Sequence, residues 1–121
     1  MSTRGFVGVQ IGVVIRAVYV HHDCYLEGVG QDLRAYTTQE AVEELISHGD
    51  RSSLYSGYYR DRGETDVDPS DYGSFDEFFE ACDGSCGEYY YLFRDGVWYC
   101  GTTYRSSPLY RKLVPYAEAW L

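Results

Sequence analysis

Two runs of apolar, branched and aromatic residues, each broken by a turn motif, constrain the fold of this chain most strongly. Residues 6–20 are rich in Val and Ile and are broken by Gly12, which predicts strands near 6–9 and 13–20 with a tight turn at 10–12. Residues 88–100 are rich in aromatics around Asp95-Gly96, a pair typical of type I′ turns, which predicts strands over 88–93 and 97–100. The chain should therefore contain two β-hairpins.

Two amphipathic patterns predict helices beside these hairpins. Thr37 and Glu40 have capping-box spacing ahead of an apolar stripe that Gly49 can end, and Ser74 and Glu77 repeat this spacing ahead of an aromatic stripe. Weaker patterns predict a short helix within 26–36 and a last helix over 107–113. We expect one α+β domain over residues 1–121, with an antiparallel sheet of about four strands and the helices packed on one of its faces.

No stretch approaches the roughly 18 apolar residues that cross a bilayer, and the N-terminus lacks the basic-then-apolar order of a secretory signal. We therefore expect a cytoplasmic protein that does not bind membranes, with its cysteines reduced.

The negative charge is concentrated in one part of the sequence. The chain carries a net charge of -9, and residues 61–88 hold ten carboxylates against Arg62 alone, so that this window accounts for the whole excess. Direct binding to nucleic acid or to anionic lipid is disfavoured. A run of carboxylates can instead imitate the phosphates of nucleic acid and occupy a basic groove of another protein, or it can be a solvated face that keeps the domain soluble.

Several residues resemble those of a known group of proteins. Residues 16–30 carry His21-His22-Asp23-Cys24-Tyr25 and Gly28-Val29-Gly30, a helix follows over 40–46, and residues 89–99 hold a Tyr-rich hairpin. This pattern resembles a family of small uncharacterised bacteriophage and prophage proteins, in which a strand runs into His-x-Asp-Gly-Tyr, Gly-Val-Gly and a helix. The chain departs from it at Cys24, where the family has glycine, and at the 82–86 loop. The resemblance implies a phage or mobile-element origin, and small phage proteins of this kind are often anti-defence factors.

The acidic window and the tyrosines beside it form the predicted interaction surface. We expect a non-enzymatic protein without a cofactor that binds and inhibits a host protein or ribonucleoprotein complex, such as a CRISPR complex. The candidate partner-binding residues are Tyr58, Tyr59, Asp61, Glu64, Asp66, Asp68, Asp71, Tyr72, Asp76, Glu77 and Glu80.

Three other kinds of site remain open from the sequence. Thiolates and imidazoles suit zinc, although the cysteines can equally be small buried hydrophobic residues. His21, His22 and Asp23 at a strand end could act in acid–base catalysis, or simply bond to backbone. Arginines near aromatic residues could instead grip a nucleotide signal. The zinc candidates are Cys24, Cys82, Cys86, Cys100, His21 and His22, and the arginines are Arg16, Arg60, Arg62, Arg94 and Arg105.

Overall fold

A six-stranded mixed β-sheet forms the centre of the computed structural model, which describes residues 2–54 and 68–120. The strands are β1 (Gly5–Ile11), β2 (Val14–Val20), β3 (Ser70–Tyr72), β4 (Tyr89–Arg94), β5 (Val97–Thr102) and β6 (Val114–Pro115). Their order across the sheet is β3-β2-β1-β4-β5-β6. The helices are α1 (Gln39–Ser47) and α2 (Phe75–Gly84), and single turns of π or 3₁₀ helix lie at Leu26–Gly30, Leu33–Ala35 and Tyr116–Glu118.

Both predicted hairpins are present. Strands β4 and β5 pair so that Arg94 faces Val97, and Asp95 and Gly96 between them have φ angles of 52° and 78°. These left-handed values are those of a type I′ turn, so the Asp-Gly prediction is confirmed. In the first hairpin the turn falls on Gly12 and Val13, later than predicted, and strand β1 continues to Ile11.

The prediction of an antiparallel sheet of about four strands was wrong in two respects. Strands β1 and β4 pair in parallel, with Gly5 opposite Tyr89, and this pairing joins the two hairpins into a mixed sheet. Two short strands, β3 and β6, extend the sheet at its edges. Strands of three and two residues are too short to show an alternating pattern, so the sequence gives no sign of them.

The helices cover both faces of the sheet, not one face as predicted. Val42, Leu45 and Ile46 of α1 belong to a core cluster with the valines of β1 and β2, and we name this side the α1 face. Phe78 and Phe79 of α2 belong to a second cluster on the opposite side, the α2 face. Alternate residues of each strand feed the two clusters, as the pleat requires, which explains why β2 is apolar at most positions.

Side-chain caps fix where both α-helices begin. The hydroxyl of Thr38 accepts a hydrogen bond from the backbone N–H of Ala41 at 3.1 Å, one residue later than the predicted cap. The hydroxyl of Ser74 accepts from the N–H of Glu77 at 3.2 Å, as predicted. The Glu77 carboxylate reaches back to the N–H of Gly73 at 2.6 Å, so that helix α2 is tied to the end of β3.

Of the two weaker helix predictions, the first corresponds to an irregular helical segment and the second was wrong. Residues 26–35 form a continuous but irregular helical segment, in which π, α and 3₁₀ geometry follow one another and Gly28 has non-helical dihedral angles. Residues 107–113 form turns, and Arg111 has a φ of 56°, which a right-handed helix does not allow.

Candidate functional site

Edge strand β3 lies near the start of the described part of the acidic window, residues 68–88. Of the candidate residues, Asp68, Asp71, Tyr72, Asp76, Glu77 and Glu80 are described, whereas Tyr58, Tyr59, Asp61, Glu64 and Asp66 lie outside the described residues. Strand β3 pairs with β2 so that Asp71 faces Arg16 and Tyr72 faces Ile15. Because successive side chains alternate, Asp71 lies on the α1 face and Tyr72 on the α2 face. The structure thus divides the predicted set between the two sides of the sheet.

Asp71 forms a bidentate ion pair with Arg16. The Nε and Nη2 atoms of Arg16 donate to the two carboxylate oxygens at 2.8 and 3.1 Å. This hydrogen bonding lowers the pKa of Asp71 below its ordinary value and raises that of Arg16. Both side chains are more than two-fifths exposed, so water and salt screen the pair and its contribution to stability is small.

A groove of about 800 Å³ opens next to this ion pair, between α1 and the β2–β3 edge. Three carboxylates of α1 line it together with Asp71, and Ile11 and Pro69 add apolar surface; the α1 residues are Glu40, Glu43, Glu44 and Ser47. Arg16 is the single basic residue among the described residues of the lining. The groove is therefore strongly acidic.

Local contacts hold the α1 carboxylates in place. Gln39 donates one amide N–H to the carbonyl of Gln10 at 3.0 Å and another to Glu43 at 2.9 Å, which links the start of α1 to the end of β1. Glu44 lies 2.9 Å from the Nε2 atom of His48 one turn later. These residues lie outside the acidic window of residues 61–88 and were not among the predicted site residues. The spacing of Glu40, Glu43, Glu44 and Ser47 on a single face of a helix was the signal available.

An arginine from a distant segment pairs with two carboxylates of α2. Arg111 lies 2.9 Å from Glu80 and 3.5 Å from Asp76, and its guanidinium stands 4.5 Å from the centre of the Phe79 ring. Glu77 is bound to the Gly73 N–H. All three candidate residues are exposed, so these contacts add little stability, but they cancel part of the α2 charge locally.

Tyr72 belongs to the packed aromatic cluster of the α2 face. Its ring centre lies 6.2 Å from that of Phe6 and 6.1 Å from that of Phe78, and the residue is half-buried. Burial raises the pKa of its hydroxyl. Tyr72 therefore lies in the wall of the α2 face and does not project freely from the edge.

The cysteines do not converge on a metal site in the described ranges. All four are free; Cys24, Cys82 and Cys100 are buried and only Cys86 is exposed. Burial raises the pKa of Cys82 and of Cys100 to about 12, so these thiols are protonated near neutral pH. Residues 2–54 and 68–120 contain no group of three or more His, Cys, Asp or Glu that could hold a metal ion.

The histidines at the end of β2 bond to neighbouring hydroxyls. The Nδ1 atom of His21 lies 2.7 Å from the Tyr19 hydroxyl, and that of His22 lies 2.8 Å from the Ser2 hydroxyl. Asp23 has a φ of 63°, and its backbone carbonyl accepts from Val29 at 2.7 Å. The Val29 side chain is buried in the core. The Gly-Val-Gly segment therefore has a structural role.

The described arginines do not meet in one pocket. Arg16 lies on the α1 face, whereas Arg94 lies on the α2 face, 4.8 Å from the Tyr99 ring centre. Arg105 lies beyond the end of β5, near Tyr110. Arg60 and Arg62 are outside the described ranges. The three described arginines of this set therefore do not form a shared phosphate clamp.

Comparisons with known proteins gave no relative. No protein-family model matches the chain, and neither the curated proteins nor the solved structures contain a match. Among the described residues, no helix has both the length and the apolar character needed to cross a membrane.

Proposed function

We propose that this chain is a non-enzymatic binding protein whose acidic groove docks on a basic surface of another protein. The single observation that carries the proposal is the gathering of Glu40, Glu43, Glu44 and Asp71 around one groove that contains a single arginine among its described lining residues. A concave surface lined by one sign of charge focuses its field and attracts the opposite charge. The natural occupant is therefore a segment or patch rich in Lys and Arg.

The charge density of α1 supports the imitation of nucleic acid. Three carboxylates lie between residues 40 and 44, within about 6 Å of helix axis. Duplex DNA carries roughly one charge per 1.7 Å of axis, which is a density of the same order. A basic groove built for phosphates would accept such a helix face. The target that we propose is accordingly a nucleic-acid-handling complex of a host, in line with the resemblance to phage proteins and with an anti-CRISPR type of inhibition.

The fold gives this surface the rigidity that specific binding needs. The buried residues Val42, Leu45 and Ile46 anchor α1 on the sheet, and the Gln39 side chain fixes its first turn on β1. The carboxylates thus project from a helix whose opposite face is packed. Binding therefore requires little ordering of the backbone, which lowers its entropic cost.

A matched pair of triple variants tests the proposal. The groove variant carries Glu40→Gln, Glu43→Gln and Glu44→Gln. The control variant carries Glu27→Gln, Asp83→Asn and Glu118→Gln, which removes the same charge from exposed positions away from the groove. Each protein is immobilised, bacterial lysate is passed over it, and retained nucleic-acid-binding complexes are eluted with rising salt, identified and assayed for inhibition of their nuclease activity.

We expect the native chain and the control variant to retain and inhibit the same basic complex, and the groove variant to bind it at least about tenfold more weakly, equivalent to ~1.4 kcal/mol. Elution should occur at moderate salt because exposed charge pairs are screened. Equal inhibition by the two triple variants, or retention of no nucleic-acid-handling complex by the native chain, would contradict the proposal.

A further inference from the structure

The ion pair between Arg16 and Asp71 follows from the register of strands β2 and β3. The two residues are direct partners across the strands, so their side chains lie on the same face of the sheet. The Nε and Nη2 atoms of Arg16 donate to both oxygens of Asp71, at 2.8 and 3.1 Å. This bidentate geometry occupies the N–H groups with which a guanidinium holds a carboxylate or a phosphate. Arg16 is thus held on the β3 side of the acidic groove.

A second carboxylate attracts Arg16 from the opposite wall of the groove. Glu43 belongs to α1 and lines the same groove. The hydrogen bond and the charge of Asp71 raise the pKa of Arg16, and the charge of Glu43 raises it further. Among the described residues, no arginine or lysine forms an ion pair with Glu43, whose carboxylate accepts an N–H of Gln39 at 2.9 Å. The guanidinium therefore interacts with both carboxylates and binds the one that is opposite in register.

This ion pair has a larger effect on charge than on stability. Both side chains are more than two-fifths exposed, and exposed pairs contribute little to the free energy of unfolding. Strand β3 is also attached by its backbone pairing with β2 and by the bond between Gly73 and Glu77. The pair does cancel the single arginine among the described lining residues of the groove. In the described ranges, it leaves the three α1 carboxylates without an arginine or lysine partner.

Loss of Asp71 should change the groove through Arg16. An arginine side chain is long and flexible, and a freed guanidinium pairs with a carboxylate within its reach. Glu43 is the carboxylate that already acts on it. Such an exchange of partners would neutralise one of the three α1 carboxylates and would place a guanidinium across the groove. Loss of Arg16 has the opposite result, because Asp71 then adds a fourth carboxylate to the groove.

We propose that Asp71 is a positioning residue that sets the charge specificity of the acidic groove. By binding Arg16 it holds the guanidinium away from α1, so that the groove accepts a cationic segment and rejects an anionic one. The inference rests on the proposed docking function, and it gives Asp71 a role different from that of the α1 glutamates. Asp71 acts through Arg16, whereas the glutamates face the partner.

The crystal structure of the Asp71→Ala variant tests the movement of Arg16 without any ligand. Alanine removes both the charge and the acceptor oxygens at position 71. We expect the Arg16 guanidinium to lie within about 4 Å of the Glu43 carboxylate, the distance of an ion pair. A guanidinium that stays beside position 71 or points into solvent would overturn the proposal.

A titration of the full chain, labelled with ¹⁵N and followed by NMR, tests the specificity. The probes are octalysine and octaglutamate, and the amides of residues 39–47 report binding at the groove separately from other acidic parts of the chain. We expect a saturable response of these amides to octalysine and none to octaglutamate. Asp71→Ala should weaken the binding of octalysine about threefold, and Arg16→Gln should tighten it by a similar factor. The double variant should bind like the native chain, because the two effects act through the same pair.

The signs of these effects separate the proposal from its alternatives. Asp83→Asn removes an exposed carboxylate outside the groove lining and should leave binding at the groove unchanged. Weaker binding of octalysine by Arg16→Gln, or a double variant that binds more weakly than either single variant, would overturn the proposal. So would a response of the α1 amides to octaglutamate, or no response to octalysine in the native chain. The lysate experiment judges the docking function separately, because its triple variants leave Arg16 and Asp71 intact.

Discussion

The two sides of edge strand β3 use their carboxylates in opposite ways. On the α1 face, Glu40 and Glu43 line an open groove in which the described arginine is already engaged by Asp71. On the α2 face, Asp76 and Glu80 are bound by Arg111, which arrives from a segment some thirty residues away. Both helices carry acidic outer surfaces, but in the described part of the chain three α1 carboxylates line the groove, whereas two α2 carboxylates are paired with Arg111. The tertiary position of the arginines decides this difference.

The two faces also differ in the kind of side chains that pack there. The α2 face is built from interlocking rings: the Phe78 ring contacts those of Phe6, Tyr72 and Tyr90 at centre distances near 6 Å. The α1 face is mainly aliphatic around the helix, with Val42 and Ile46 fully buried. Each aromatic ring buries a large apolar area. We therefore expect truncation of a buried side chain to reduce the free energy of unfolding more on the α2 face than on the α1 face.

The largest expected effect on stability follows from truncating one buried side chain on each face. Phe78→Ala should destabilise the fold by about 3–5 kcal/mol, because it empties the centre of the ring cluster. Ile46→Val on the α1 face should cost only about 0.5–1.5 kcal/mol. Urea unfolding measures both values, and Val13→Ala, at an 87% exposed turn residue, serves as the control. A smaller loss for Phe78→Ala than for Ile46→Val would break the comparison.

A smaller effect should come from the two helix caps. Thr38→Ala and Ser74→Ala each remove one hydroxyl acceptor from a helix start, and each should destabilise the protein by about 1 kcal/mol. The Gly73–Glu77 bond remains in Ser74→Ala and should limit fraying of α2, so amide exchange should rise more at the start of α1 than at the start of α2. Faster exchange at the start of α2 would contradict this role of Glu77.

The smallest expected effect distinguishes two aspartates that flank the β2–β3 edge. Burial raises the pKa of Asp50, whereas the hydrogen bond from Arg16 lowers that of Asp71. The unfolded value of both is near 4. Asp50 binds its proton more tightly in the folded than in the unfolded state. Its contribution to the free energy of unfolding is therefore present below pH ~4 and is lost as the pH rises through the raised folded pKa. The contribution of Asp71 is present above pH ~4 and is lost as the pH falls through its lowered pKa.

These opposite signs can be measured with two amide variants. As the pH rises from about 3 to 6, Asp50→Asn should become more stable relative to the native chain, and Asp71→Asn should become slightly less stable. High salt should reduce the second difference because the Arg16–Asp71 pair is exposed. Urea unfolding at several pH values checks both, and differences of the same sign in the two variants would show that the assignment of their environments is wrong.

Local features of the fold could be predicted from the sequence, whereas the site could be predicted only in part. The Asp95-Gly96 turn and the Ser74 cap follow from the conformations of a few neighbouring residues, and the structure has both. Asp71 was a candidate residue and does line the acidic groove, but Glu40, Glu43 and Glu44 were not, because they lie outside the acidic window and the fold alone brings them beside Asp71.

The sequence by itself determined the two hairpins, the two capped amphipathic helices and the overall acidity of this chain, because these depend on dihedral preferences, spacing and composition over short stretches. Only the tertiary structure decided that β1 and β4 pair in parallel and that the helices take opposite faces. It also brought Arg16 to Asp71, 55 residues away, and Arg111 to Glu80. Contacts between residues so distant in sequence depend on the packing of the whole core. A local pattern of residues therefore cannot predict which carboxylates remain available to a partner.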